Sequence, residues 1–120
     1  NKYLYTTRYK LKKCILKKHL TVLYSYNNFI VGEKMPTISY FRGIKIFINW
    51  NDHMPPHFHA SYAGEEIIVS INDIEVLEGQ IASKQQKMVL GWAAFHQTEL
   101  LEDWELAASK QELFPIAPLN

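Results

Sequence analysis

The sequence predicts an α+β domain over residues 35–120: a mostly antiparallel meander of four or five strands, followed by one long or two short C-terminal helices packed on one face of the sheet. Three observations predict it. Apolar and polar residues alternate in two blocks, 44–50 and 58–71, which is the period of a strand with one buried face. Short turn pairs, Arg42-Gly43, Ala63-Gly64 and Asn72-Asp73, punctuate those blocks, so consecutive strands are hairpins. From Ser83 the apolar spacing changes to three and four residues, the period of a helix, and strands gathered before helices form a sheet with a helical layer.

Taken in order, Thr37 to Phe41 is a partner strand for Ile44 to Trp50, in which Ile44, Ile46, Ile48 and Trp50 alternate with Lys45, Phe47 and Asn49. Phe58, Ala60 and Tyr62 then alternate with His57, His59 and Ser61. If Ala63 and Gly64 are a two-residue loop, Tyr62 faces Glu65, Ala60 faces Ile67 and Phe58 faces Val69, so the apolar residues meet on one side. The same register sets His59 opposite Ile68 and His57 opposite Ser70, with Glu66 diagonal to His59 at roughly 7 to 8 Å. The two histidines are thereby expected on an open face, away from the helical layer, with Phe47 and Ile68 beside them. Apolar side chains on such a face suggest cover by a second subunit or a partner protein. Ile74 to Leu77 reads as a further short strand ended by Gly79.

Ser83 with Gln86 three residues later is a capping-box pattern. Val89, Leu90, Ala93, Leu100, Leu101 and Trp104 follow at helical spacing to about Ser109, as one long element or as two with a bend near Gln97-Thr98. Trp50, Trp92 and Trp104 stand at apolar-phase positions and are expected in the core. Glu99, Glu102, Asp103 and Glu105 read as a solvated helix face, and His96 and Glu99, three apart, can contact one another.

Composition bounds the function. Cys14 is the one cysteine, so the chain can form neither an internal disulfide nor a cysteine-based zinc site. No apolar run approaches the roughly 18 to 20 residues needed to cross a bilayer, and a cytoplasmic location is expected. The near-zero net charge hides an asymmetry: residues 1–34 hold eight Lys and Arg against one acid, a net +7, whereas residues 35–120 hold five against eleven, a net −6. Two readings of residues 1–34 stand. Met35-Pro36-Thr37 resembles a bacterial start, which makes the preceding residues a non-native extension from an over-extended reading frame. Alternatively they are a basic arm seeking a membrane surface or nucleic acid, although their apolar residues do not form one stripe. Poor order is expected under either reading.

The segment Asp52-His53-Met54-Pro55-Pro56-His57-Phe58-His59 is the expected seat of function. Histidines at i and i+2 on a strand project from one face about 6.5 to 7 Å apart, so both imidazoles can reach one ion or one substrate group. His53 joins them only if the Pro55-Pro56 segment turns, since an extended run would hold it about 12 Å from His57.

Together with Met35-Pro36-Thr37-Ile38, Phe41-x-Gly43-Ile44, and Trp92, His96, Glu99, Leu100 and Trp104, this segment resembles the bacterial family catalogued as domain of unknown function 4160. The resemblance spans residues 35–120. It implies a small cognate protein encoded nearby, in a toxin–antitoxin-like pair, and an RNase toxin as one role.

Three chemistries remain open for the cluster. Asp52, His53 and the two prolines can build a rigid loop, with the histidine nitrogens satisfied by backbone carbonyls. His57 and His59, with His53, can be the catalytic acid and base on an RNA phosphodiester, with Arg42, Lys45, Asp52, Glu66, His96 and Glu99 as binding residues. Or His57, His59 and a third ligand, His53, Asp52 or Glu66, can hold a divalent metal such as zinc. The net acidity of residues 35–120 counts against nucleic acid, unless Arg42 and Lys45 make a local basic patch with the histidines.

Overall fold

The computed structural model of the chain describes residues 35–120, and the expectations for residues 1–34, as extension or basic arm, lie outside the described residues. The alternating blocks become strands β1 (Thr37–Phe41), β2 (Ile44–Phe47), β3 (His57–Tyr62), β4 (Glu65–Ser70) and β5 (Glu75–Gly79). They pair in chain order as one five-stranded antiparallel meander. Two helices follow, α1 (Ser83–Phe95) and α2 (Gln97–Ala108).

The hairpins close as the turn residues dictate. Arg42 and Gly43 (φ 49° and 80°), and Ala63 and Gly64 (φ 52° and 84°), all take left-handed backbone. Positive φ at both central residues belongs to the two-residue turn whose twist matches that of the strands. The β3–β4 register is the one predicted from parity: Tyr62 opposite Glu65, Ala60 opposite Ile67, Phe58 opposite Val69, His59 opposite Ile68 and His57 opposite Ser70. The fifth strand begins one residue later than expected, because Ile74 (φ 53°) is still in the turn and donates its N–H to Ser70 O at 2.8 Å.

One face of this sheet carries the core. Ile44, Ile46, Phe58, Ala60, Ile67 and Val69 are buried there, and Trp92 of α1 packs against Phe41 and Phe58 with ring centroids at 5.4 and 6.1 Å. Trp50, by contrast, is half-buried. The start of α1 differs from the capping-box expectation: Ala82 precedes the helix and no side chain caps it. Ser83 lies one residue too far inside, and Gln86 instead gives its backbone N–H to Ala82 O.

The break falls at His96, whose φ −114° and ψ 22° leave the helical region. Gln97 Nε2 fixes the bend by donating to Ile71 O at 2.7 Å and to Asn72 O at 3.0 Å, tying the helix junction to the β4–β5 turn. Glu102 and Asp103, expected in solvent, are buried. The C-terminal segment folds back over that side of α2, where Phe114 N donates to Asp103 Oδ1 at 2.8 Å. Ile116 N then bonds Ile38 O, and Trp92 Nε1 bonds Ala117 O. No helix among the described residues is long and apolar enough to cross a membrane.

Gly79 is the most closely crowded glycine among the described residues. At φ +85° a Cβ would stand 2.2 Å from Glu66 O, whereas at Gly64, with φ +84°, nothing lies within 4 Å. Gly64→Ala therefore costs only left-handed backbone strain, about 1 kcal/mol, and Gly79→Ala adds a steric clash with backbone, for about 3 kcal/mol in all. Urea denaturation of the two variants should rank them in that order.

Candidate metal centre

Two elements build the site, the start of β3 and the loop that enters it. Parity places His57 and His59 on the sheet face opposite Phe58, and their rings meet edge to face with centroids 5.3 Å apart. The loop after β2 turns back at Asn51 (φ 54°), and Asn51 N donates to Ala107 O at 2.9 Å, anchoring the loop to α2. This turn delivers Asp52 to the histidines: its Oδ2 lies 2.9 Å from His57 Nε2 and 3.5 Å from His59 Nε2.

The other nitrogen of each ring is already engaged. His57 Nδ1 lies 2.8 Å from Pro55 O and His59 Nδ1 lies 2.8 Å from Glu66 Oε2. The second contact is the diagonal pair that the register predicts. Asn49 Nδ2 lies 3.4 Å from both Asp52 Oδ2 and His59 Nε2. Phe47 stacks on His59 with centroids 4.9 Å and planes 12° apart, and Lys45 Nζ sits 5.2 Å above the Phe47 ring.

The open-face expectation does not hold, for His57 and His59 are only 2% and 7% exposed. Trp104 of α2 closes against His57 at 5.1 Å between centroids, because the bend at His96 sends the second helix to the end of the sheet where the loop lies. His53 is drawn closer than an extended run allows, its ring 5.3 Å from that of His57. Its side chain is nonetheless 80% exposed, its Nδ1 lies 3.8 Å from Asp52 Oδ1, and its backbone N–H donates to that oxygen at 2.8 Å.

The remaining expected residues separate. His96 and Glu99 bond one another at 2.6 Å beside Trp92 and form a pair of their own. Arg42 sits in the β1–β2 turn, which neighbours Tyr62 at the far end of β3 from His57, so it makes no basic patch with the histidines. Lys45 does share their face. Asn49 was overlooked as a site residue, although its alternation with Lys45 and Phe47 already put it on the histidine side.

Three of the four nitrogens of the two buried rings lie within 2.9 Å of an oxygen, and His59 Nε2 lies between Asp52 Oδ2 and the Asn49 amide. A neutral imidazole has one N–H; where it is spent at Nδ1 on Pro55 and Glu66, the Nε2 lone pair is left facing Asp52 and calls for a cation, whereas an imidazolium ring donates at both nitrogens. Asp52 is held as the carboxylate by partners that include the rings in their donating, charged form. Burial pushes its carboxyl up, but the hydrogen bonds from His53 N–H and His57, the His57 charge and the hydrogen bond from His59 outweigh this and hold it below the ordinary aspartate value of 3.8. Asp52 Oδ2 and the two ring nitrogens form the one group among the described residues whose ligand atoms, all within 4.8 Å of one another, suit a metal ion.

Fold and site together define a small α+β domain with a buried histidine–carboxylate centre. The chain belongs to the family described as domain of unknown function (DUF4160), whose model matches residues 43–105, a little over half of its length. No curated protein and no solved structure matches it.

Because Asp52 is held below 3.8 in the fold, its contribution to stability is complete above that value and is lost as pH falls through the lowered one. In chelated buffer, the gap in thermal midpoint between the wild type and Asp52→Asn should be full at pH 6 and should shrink progressively as pH falls below 3.8. An undiminished gap at pH 3 would contradict this.

Proposed function

We propose that this domain binds one divalent transition-metal ion, zinc by preference, through His57 Nε2, His59 Nε2 and Asp52 Oδ2. The observation that carries the reading is the oxygen acceptor at each Nδ1. Metal-bound histidines characteristically donate their other N–H to a carboxylate or a backbone carbonyl, which sets the tautomer and orients the ring. Glu66 and Pro55 supply one of each.

Protons are the rival cation. Two imidazolium rings with centroids 5.3 Å apart repel by about 3 kcal/mol at an effective dielectric of about 20, a cost that the Asp52 and Glu66 carboxylates beside them offset in part. A single divalent ion brings the same two charges to one point between the ligands, without that repulsion. Two imidazoles and a carboxylate are also a ligand set that suits zinc and its first-row neighbours.

The acid–base alternative, in which His57 and His59 cleave an RNA phosphodiester, needs rings that reach substrate. These rings are buried, their nitrogens are turned to protein oxygens, and Arg42 lies at the other end of the strand. The metal reading also gives the ion a task, since it would staple the loop carrying Asp52 to β3 beneath Trp104.

Elemental analysis of the untagged full-length chain should find near-stoichiometric metal, lost in His57→Ala and His59→Ala. Zinc at about 100 times its dissociation constant adds roughly 2.7 kcal/mol, which raises the thermal midpoint by roughly 10 °C or more. Protein free of metal, with a midpoint indifferent to zinc, would end the proposal.

A further inference from the structure

Three ligands leave a tetrahedral ion one position short, and what fills it decides whether the centre is open to chemistry or closed. We infer that Asn49 fills it through its side-chain carbonyl, Oδ1, making a closed centre of two imidazole nitrogens and two oxygens. This rests on the metal reading above.

The distances carry the inference. Bonds of 2.0 to 2.1 Å in a tetrahedral zinc site put neighbouring ligand atoms about 3.3 Å apart. His57 Nε2 to Asp52 Oδ2 is 2.9 Å and His59 Nε2 to Asp52 Oδ2 is 3.5 Å. The Asn49 amide adds two more edges at 3.4 Å, to Asp52 Oδ2 and to His59 Nε2. Four of the six edges, taken with the amide at its Nδ2 end, thus lie within about 0.4 Å of that separation.

The second observation is the other end of the same amide. Asn49 Oδ1 is buried and has no hydrogen-bond partner among the described residues, an arrangement that folded proteins avoid. Which amide atom points where is assigned from hydrogen bonding, not seen directly. With the pocket holding only acceptors, Nδ2 belongs inward, and Oδ1 is left alone. With a cation between the ligands the amide turns over: Oδ1 takes the inward place near 3.4 Å from the same two atoms and gains the ion as its partner. Asn49 is set there by parity, two residues beyond Phe47 on the histidine side of the chain.

A closed set of four protein ligands is the hallmark of a structural site, whereas catalytic zinc keeps one position for water. Full-length protein loaded with cobalt in place of zinc should show a four-coordinate visible spectrum that thiocyanate leaves unchanged. Asn49→Ala should weaken zinc binding about tenfold or more, the least expected even for loss of an outer partner, and should make the cobalt spectrum respond to thiocyanate. Asn49→Asp, which keeps an oxygen in place, should retain tight binding. Should Asn49→Ala fail to fold, the thiocyanate test on wild-type protein still decides. Unaltered zinc affinity in Asn49→Ala, or a wild-type cobalt spectrum shifted by thiocyanate, overturns the role of Asn49 while leaving the other three ligands standing. A wild-type chain that takes up neither metal overturns both readings.

Discussion

Each of two buried imidazoles gives its Nδ1 to a fixed oxygen, and that constraint organises this end of the molecule. With Pro55 O and Glu66 Oε2 at the Nδ1 atoms, the rings are oriented so that both Nε2 atoms converge on Asp52. The constraint reaches back into the sheet. Glu66 meets His59 only because the β3–β4 hairpin pairs Ser61 with Glu66 and His59 with Ile68. That register depends on the left-handed pair at Ala63 and Gly64, and a slip of one residue would turn the histidines into the apolar core.

The domain keeps its two faces for different work. Behind β3, Phe58 and Ala60 meet Trp92 and the aliphatic core, where burial of apolar surface supplies the stability. In front, the same strand presents polar rings that cost free energy to bury unless every nitrogen finds a partner. The break between the helices serves both sides. The first helix places Trp92 on the apolar face, and the second, redirected at His96 and tied down by Gln97, brings Trp104 against His57. The C-terminal segment completes the arrangement by covering Asp103.

Strand parity was legible in the sequence and carried the most information. It anticipated the hairpins, the full β3–β4 register, the shared face of His57 and His59 and the diagonal reach of Glu66, because alternation and turn chemistry are local properties. The His96–Glu99 pair was legible for the same reason, being three residues apart on a helix. What lay beyond reach was set by tertiary contacts. The turn at Asn51 that brings in Asp52 and exposes His53 leaves no periodic trace. Nor does the path of α2 after the bend, which buries His57 on a face that parity alone assigns to solvent. Asn49 was an intermediate case: its side of the strand could be read, but its proximity to Asp52 depended on the loop.

The central claim, that Nδ1 carries the proton on both rings and Nε2 is reserved for a metal, can be read directly from the ring nitrogens. Long-range proton–nitrogen correlation spectra of the uniformly nitrogen-labelled full-length chain, recorded with zinc bound, should show His57 and His59 as Nδ1–H tautomers. Their Nε2 resonances should move on zinc addition, while His53 and His96 stay where they were. Rings protonated at Nε2, or Nε2 resonances of His57 and His59 that zinc leaves in place, would contradict the account.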